Sequence, residues 1–215
     1  MSFQVMLQQL SSGMMSTMGI FFLTLLFSLP LGLIIAFGRM SKNNLISGFV
    51  SVVISILRGT PLMLQLMVWY FFPFYLMGWS ISGWRFPAVI VGFSINYAAY
   101  FAEIYRSGIE AIPKGQYEAG QILGYSKVQS FFKIILPQVI KIILPSITNE
   151  VITLVKDTSL AFSITYIEMF TLAKQIAASE TSMMPFVIAA VFYYIFNALV
   201  AFVMSRLEKK MSYYS

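Results

Sequence analysis

Met14–Phe37 reads MMSTMGIFFLTLLFSLPLGLIIAF, 24 residues without a single charge. As an α-helix this stretch is long enough to cross the roughly 30 Å hydrocarbon core of a bilayer. Arg39 and Lys42 follow it closely, as charges at a membrane surface should. The rest of the chain has the same character. Of 215 residues, 59% are hydrophobic and 10% are charged, and the mean hydropathy is +0.81. A soluble domain carries about 25% charged residues, so polar surface is too scarce here for a water-exposed globule. An ordinary soluble enzyme is excluded. With no cysteine and no histidine, disulfide frameworks, thiolate or imidazole zinc sites, cysteine nucleophiles and Ser-His triads are excluded too. The net charge of +6 does not point to nucleic acid, because the basic residues are scattered between apolar runs. The composition predicts an all-α integral membrane protein.

Further spans follow downstream. Leu45–Trp84 is uncharged except for Arg58. Its first piece, Leu45–Leu57, would make only about 20 Å of helix. Joined to Pro61–Met77 it forms a second span, interrupted at Arg58-Gly59-Thr60-Pro61. Such a break is tolerated at membrane depth where other protein satisfies the freed backbone groups. A third span covers about Phe86–Tyr105, a fourth Ile134–Val155, with Pro137 and Pro145 near its beginning, and a fifth Thr181–Ser205. Five spans place Arg39, Lys42, Arg106, Lys114, Lys127, Lys133, Arg206, Lys209 and Lys210 on one side, with only Arg85 and Lys174 on the other. The positive-inside rule makes the first side cytoplasmic, with the N-terminus outside and the C-terminus in the cytoplasm. A six-span arrangement would scatter these charges. No removable signal peptide is expected, since a basic n-region and cleavage site are lacking. Residues 1–215 read as a single transmembrane domain without repeats. Trp79 and Trp84 suit the extracytoplasmic interface. Gly32, Gly38 and Gly92 suit close helix packing. The methionines and phenylalanines read as packing or lipid-facing groups, and Ala161–Thr181 as extracytoplasmic helix and loop.

Between spans three and four, about residues 106–133, the chain turns more polar. Pro113 suits the first turn of a helix. Tyr117, Gly120 and Gly124 recur at i, i+3 and i+7, which predicts one closely approachable face. A break at Gly124 would begin a second short helix bearing Phe131 and Phe132. On pattern alone, this loop is equally a docking knob or an interfacial helix pair lying among headgroups.

Its residues carry a resemblance that separates the two. Glu118-Ala119-Gly120, three residues, Gly124, nine residues, Ile134, one residue and Leu136-Pro137 resembles the EAA loop of ATP-binding-cassette (ABC) importer permeases. Gly120 stands where that motif has its second alanine. Arg58-Gly59-Thr60-Pro61, the run Asn96–Gln116 and Lys156-Asp157-Thr158-Ser159-Leu160 are similar to the polar amino-acid uptake branch of that family. The resemblance spans about residues 10–210 and implies the type I ABC importer permease fold, five transmembrane helices with a cytoplasmic coupling-helix loop. It also implies that Glu118, Ala119, Gly120 and Gly124 couple the chain to a separate ATPase subunit, which would bind ATP and Mg. The implied partners are a second permease subunit, identical or different, an extracytoplasmic solute-binding protein and an amino-acid substrate. The implied location is a prokaryotic cytoplasmic membrane. No cofactor and no enzymatic activity are expected of this chain, which lacks the GxxxxGK[ST] phosphate loop.

Ionisable groups within spans are expensive unless paired or facing a wet cavity, so each is a candidate functional residue. Asn96, Tyr100 and Glu103 fall at i, i+4 and i+7 on one helical face, and Glu150, Thr153 and Asp157 at i, i+3 and i+7 on another. A zwitterionic amino acid needs an anion for its ammonium and donors for its carboxylate. Glu103 and Asp157, with Asn96, Thr60, Thr158 and Ser159, are the candidate substrate path. Alternatively these acids brace or gate the spans, and Glu103 is a solvated carboxylate or the partner of Arg58. Arg58, Pro61, Asn149 and Glu150 are assigned gating or structural roles, with Arg58 bonding carbonyls freed at the break. The acids favour arginine, lysine or histidine as substrate; glutamine or another polar amino acid is the alternative. A gradient-driven secondary transporter would show inverted repeats, which the sequence lacks. A non-transporting scaffold would leave the EAA spacing and the intramembrane acids unexplained.

Overall fold

The computed structural model describes residues 2–80 and 82–211, and all regular structure among them is helical. Helix α1 spans Phe3–Arg39, α2 Asn44–Gly59, α3 Leu62–Met77 and α4 Arg85–Glu110. A loop pair follows, α5 Lys114–Ile122 and α6 Lys127–Ser130; α6 runs through a π-helical turn, Phe131–Ile135, into α7, Leu136–Asp157. A 3-10 turn, Thr158–Ile164, leads to α8, Met169–Glu180, and α9 spans Met184–Met211. Helices α1, α4, the run from Lys127 to Ile164, and α9 are each long and apolar enough to cross a membrane. Helices α2 and α3 pass the same test only together, as a pair bent by 110°.

Helix α4 is the most enclosed element. Val89, Phe93, Tyr97 and Phe101 are buried along it, in one cluster with residues of α1, α3, α7, α8 and α9. It lies against α1 at Gly32, where a Cβ would stand 2.8 Å from Phe101 Cβ and 3.1 Å from the Ala98 carbonyl oxygen. Only glycine permits that approach.

Two expectations need correcting, and a third gains detail. The second span does break at Arg58–Pro61, and the chain bends by 110° there. Thr60 is extended (φ −116°, ψ 147°) and Pro61 has no N–H to return to Leu57, so the helix stops and turns sharply. Phe131 and Phe132 do not lie on a separate short helix. Ser126 and Gln129 form a capping box that starts α6, and the helix then continues through the π turn into α7. The π turn sits just ahead of Pro137, which cannot donate a helical hydrogen bond; the Gln138 side-chain Nε2 donates to Ile134 O at 2.8 Å there. Gly124, finally, does not share a helical face with Tyr117 and Gly120. It lies beyond the end of α5 with φ +74°, a conformation that stops the helix and suits glycine.

Candidate functional site

The fold-back of α3 brings the break against α4. Asn96, 4% exposed, donates to Leu57 O at 3.1 Å and to Gln65 Oε1 at 3.0 Å. Gln65 Nε2 in turn donates to Leu57 O at 2.8 Å, Thr60 O at 3.1 Å and Thr60 Oγ1 at 2.8 Å. Two amides therefore satisfy the carbonyls that Arg58 was expected to serve. The Arg58 guanidinium instead sits 5.0 Å from the centre of the Tyr100 ring, a cation–π contact.

Beside the break lies a cavity of about 420 Å³. Its walls are Thr60, Pro61 and Leu62 from the turn, Asn96, Tyr97 and Tyr100 from α4, and Glu150, Thr153, Asp157 and Leu160 from α7 and the 3-10 turn. The two polar faces read from helical spacing thus meet across one cleft. The Tyr97 hydroxyl donates to Asp157 Oδ2 at 2.8 Å. Glu150 is half-buried and has no cation within ion-pair reach among the described residues. The cleft therefore offers two carboxylates facing amide, hydroxyl and aromatic groups, a set suited to a small polar cation or zwitterion.

Glu103 is not in that cleft. It is bridged by Arg106 at 2.7 Å and approached by Arg39 at 3.8 Å, so it is the partner of those arginines and not of Arg58. It lines two further cavities toward the end of the bundle where Arg39 and Arg106 cluster. One, about 250 Å³, shares Arg58, Tyr100 and Glu150 with its surroundings; the other, about 390 Å³, is lined by Arg39, Ser51, Arg58 and Glu103. Tyr100 and Glu150 border both the first cleft and the 250 Å³ cavity. The Thr158 and Ser159 side chains do not line the cleft; each hydroxyl donates back within its own turn, to Val155 O and Lys156 O. Asn149 is exposed on α7.

The α5–α6 loop presents a separate surface. Glu118 and Ala119 are exposed, and so are the apolar Ile122 (87%), Leu123 (67%) and Val128 (66%). Gly120 faces inward onto Ser130.

Residues 28–213 match the family described as binding-protein-dependent transport system inner membrane component. The chain belongs to that family. It is 36% identical over 208 residues to the L-cystine transport system permease protein TcyB of Bacillus subtilis, covering 95% of this chain and 87% of the relative. It is 37% identical over 201 residues to the putative glutamine transport system permease protein GlnP of Rickettsia bellii, covering 93% and 91%. A solved structure described as an amino acid ABC transporter with histidines superposes with a TM-score of 0.86 at 31% identity, over 98% of this chain and 99% of that one. The EAA-like loop thus belongs to an inner membrane component related along nearly its whole length to ABC permeases, subunits that are not themselves enzymes. Two features of the cleft in this inner membrane component escaped the sequence reading. Gln65 is the lone amide in the apolar run Pro61–Met77, which was a signal. Tyr97, one residue from the recognised face of Asn96 and Tyr100, carried none.

Proposed function

We propose that this chain is the path-forming subunit of an amino-acid importer, and that the cleft between the α2–α3 turn, α4 and α7 holds the substrate in transit. The observation that carries this is the convergence of Glu150 and Asp157 on one cavity with Asn96, Thr60 and Tyr100. The carboxylates suit an ammonium or guanidinium group, and the Tyr100 and Thr153 hydroxyls on the cavity wall suit a carboxylate. A basic amino acid, arginine, lysine or histidine, fits best; the solved relative is described with histidines. Glutamine is the second reading, favoured because Asp157 already accepts from Tyr97, which leaves less free anion in the cleft. The cavities around Arg58 and Glu103 then form the exit, with Arg58 on Tyr100 as its inner gate. N-out, C-in orientation puts that exit and the exposed loop on the cytoplasmic side. There an ATPase subunit, carrying ATP and Mg, covers Ile122, Leu123 and Val128, with Glu118 and Ala119 beside them. A second permease, identical or different, completes the walls, and a binding protein delivers substrate from outside. ATPase closure rocks the spans between inward- and outward-open states.

The test is reconstituted transporter assayed across the amino acids for uptake and substrate-stimulated ATP hydrolysis. Asp157→Asn and Glu150→Gln should each lower uptake of a basic substrate at least about tenfold, the equivalent of about 1.4 kcal/mol. Unchanged uptake and selectivity in folded variants would remove the cleft from the path.

A further inference from the structure

Helix α2 is polar along one side and apolar along the other. Ser47, Ser51, Ser55 and Arg58 recur at i, i+4, i+8 and i+11 and so share one side. Leu45, Phe49, Val52 and Ile56, between 57% and 83% exposed, lie on the opposite one. The polar side is turned into the bundle. There Ser51, Ser55 and Arg58 border the cavity of about 390 Å³, with Arg39 from the end of α1 and Glu103 from α4. Lipid would meet the apolar side of α2, so the polar lining serves a solute inside the protein.

Charge in this cavity has the opposite sign to that in the cleft. Its wall holds two guanidinium groups against one carboxylate, and both oxygens of that Glu103 carboxylate already accept from Arg106, at 3.3 and 2.7 Å. Arg39 donates from Nη1 to the Ser47 hydroxyl at 3.0 Å, and its Nε stands 3.8 Å from Glu103; Nη2 has no partner among the described residues. Arg58 has no carboxylate within ion-pair reach among them either. Guanidinium groups with hydroxyls beside them are the donor set for a carboxylate. Arg58 borders this cavity and the 250 Å³ one, which in turn shares Tyr100 and Glu150 with the cleft. The series of cavities therefore begins at two carboxylates and ends at two guanidinium groups.

We infer that the 390 Å³ cavity is a second amino-acid subsite, where Arg39 and Arg58 take by its carboxylate the substrate that the cleft holds by its cationic group. This rests on the reading of the cleft as the substrate's route. Two sites of opposite sign let a zwitterion leave the first without stranding its charge, as passage through a membrane path requires.

The chain has no cysteine, so a thiol in the cavity wall reports on occupancy. Ser55→Cys, with Ser51→Cys as a second reporter, is purified as the permease–ATPase complex in phosphatidylcholine nanodiscs. Its modification by a neutral methanethiosulfonate is timed with L-arginine, L-glutamine and their decarboxylated counterparts, agmatine and 4-aminobutanamide. At least one amino acid should slow the reaction, and neither amine should. Adding Arg39→Gln or Arg58→Gln should raise the concentration for half-protection at least about tenfold, the scale of one charge-assisted hydrogen bond. Arg58→Gln breaks no ion pair, and the comparison with the amines needs neither change. Protection by no amino acid, or equally by the amines, overturns the inference. So does protection that survives both arginine changes, or that disappears with Asp157→Asn alone and thus originates in the cleft. Protection by added phosphatidylglycerol but not by amino acids overturns it too, and makes the cavity a headgroup site. Uptake by Asp157→Asn and Glu150→Gln separates the two levels. Unchanged uptake removes the cleft from the route, and with it the passage from one site to the other. Reduced uptake with an unprotected thiol removes the outer subsite alone.

Discussion

At the break between α2 and α3, Pro61 carries no N–H, so the Leu57 carbonyl loses the partner four residues ahead, and the extended Thr60 exposes its own carbonyl. In a membrane-embedded segment no water is at hand to replace those bonds. The Gln65 amide supplies both, assisted by Asn96, and Asn96 also fixes the orientation of Gln65. The amides are therefore the condition for the turn, and the turn is the condition for the cleft. Gln65→Leu keeps the volume and removes the donors. It should cost about 1–3 kcal/mol, the range for a buried polar group left unpaired. Thermal unfolding in detergent measures this, with Val68→Ala as the control, since Val68 is 60% exposed on the same helix. Equal midpoints for the two variants would show that the amide is dispensable. Arg58, freed from this work, is available to cover Tyr100, which lines both the cleft and the 250 Å³ cavity.

Among the elements, the joint between the exposed loop and α7 is the most constrained. Gly120 packs on Ser130, where a Cβ at position 120 would come within 3.0 Å of Ser130 Cβ and 3.4 Å of Ile134 Cδ1. Ser130 is the last residue of α6, and the π turn begins directly after it. Any displacement of α5 by a partner thus bears on the start of the helix that carries Glu150 and Asp157. Gly120→Ala should overpack the joint by about 1–3 kcal/mol and raise the ATP hydrolysed per amino acid transported. Ser130→Gly in the same chain should bring that ratio back toward wild type. A ratio that Gly120→Ala leaves unchanged, or that Ser130→Gly does not restore, would mean the contact transmits nothing. The loop itself was legible in the sequence, because Pro113 and Gly124 act through local backbone chemistry. The faces of α4 and α7 were legible for the same kind of reason, since spacings of three, four and seven are fixed by helix geometry. The 110° bend was not, because it depends on Gln65 meeting carbonyls five and eight residues behind it. Nor was the separation of Glu103 from Asp157, which follows from where Arg39 and Arg106 arrive.

For the whole molecule, the distribution of charge and the absence of cysteine combine into one decisive test. Nine of the 14 basic residues gather at one end of the five-span arrangement, where the α5–α6 loop also lies. Cytoplasmic loops carry an excess of lysine and arginine, so that end should face the cytoplasm. The opposite end holds the segment between α3 and α4, with Trp79 62% exposed and the Trp84 indole donating to Trp69 O at 3.1 Å. The chain has no native cysteine, so a single introduced thiol reports on one place without background. Ser80 and Ser126 are both exposed, one at each end. In intact cells, Ser80→Cys should react with a membrane-impermeant maleimide and Ser126→Cys should not. After permeabilisation both should react in cells that express the chain without its ATPase, which would otherwise cover the loop around Ser126. Both changes are small and solvent-facing, and the Ser80 hydroxyl accepts from Ser82 N in a local turn. Ser126 caps α6, so its cysteine variant loses about 1 kcal/mol of local helix stability, which does not move it across a membrane. The reverse labelling pattern would invert the molecule and place the exposed apolar loop where no ATPase can reach it. Labelling of both sites in intact cells would mean that α4, the one long apolar helix between them, does not cross the membrane.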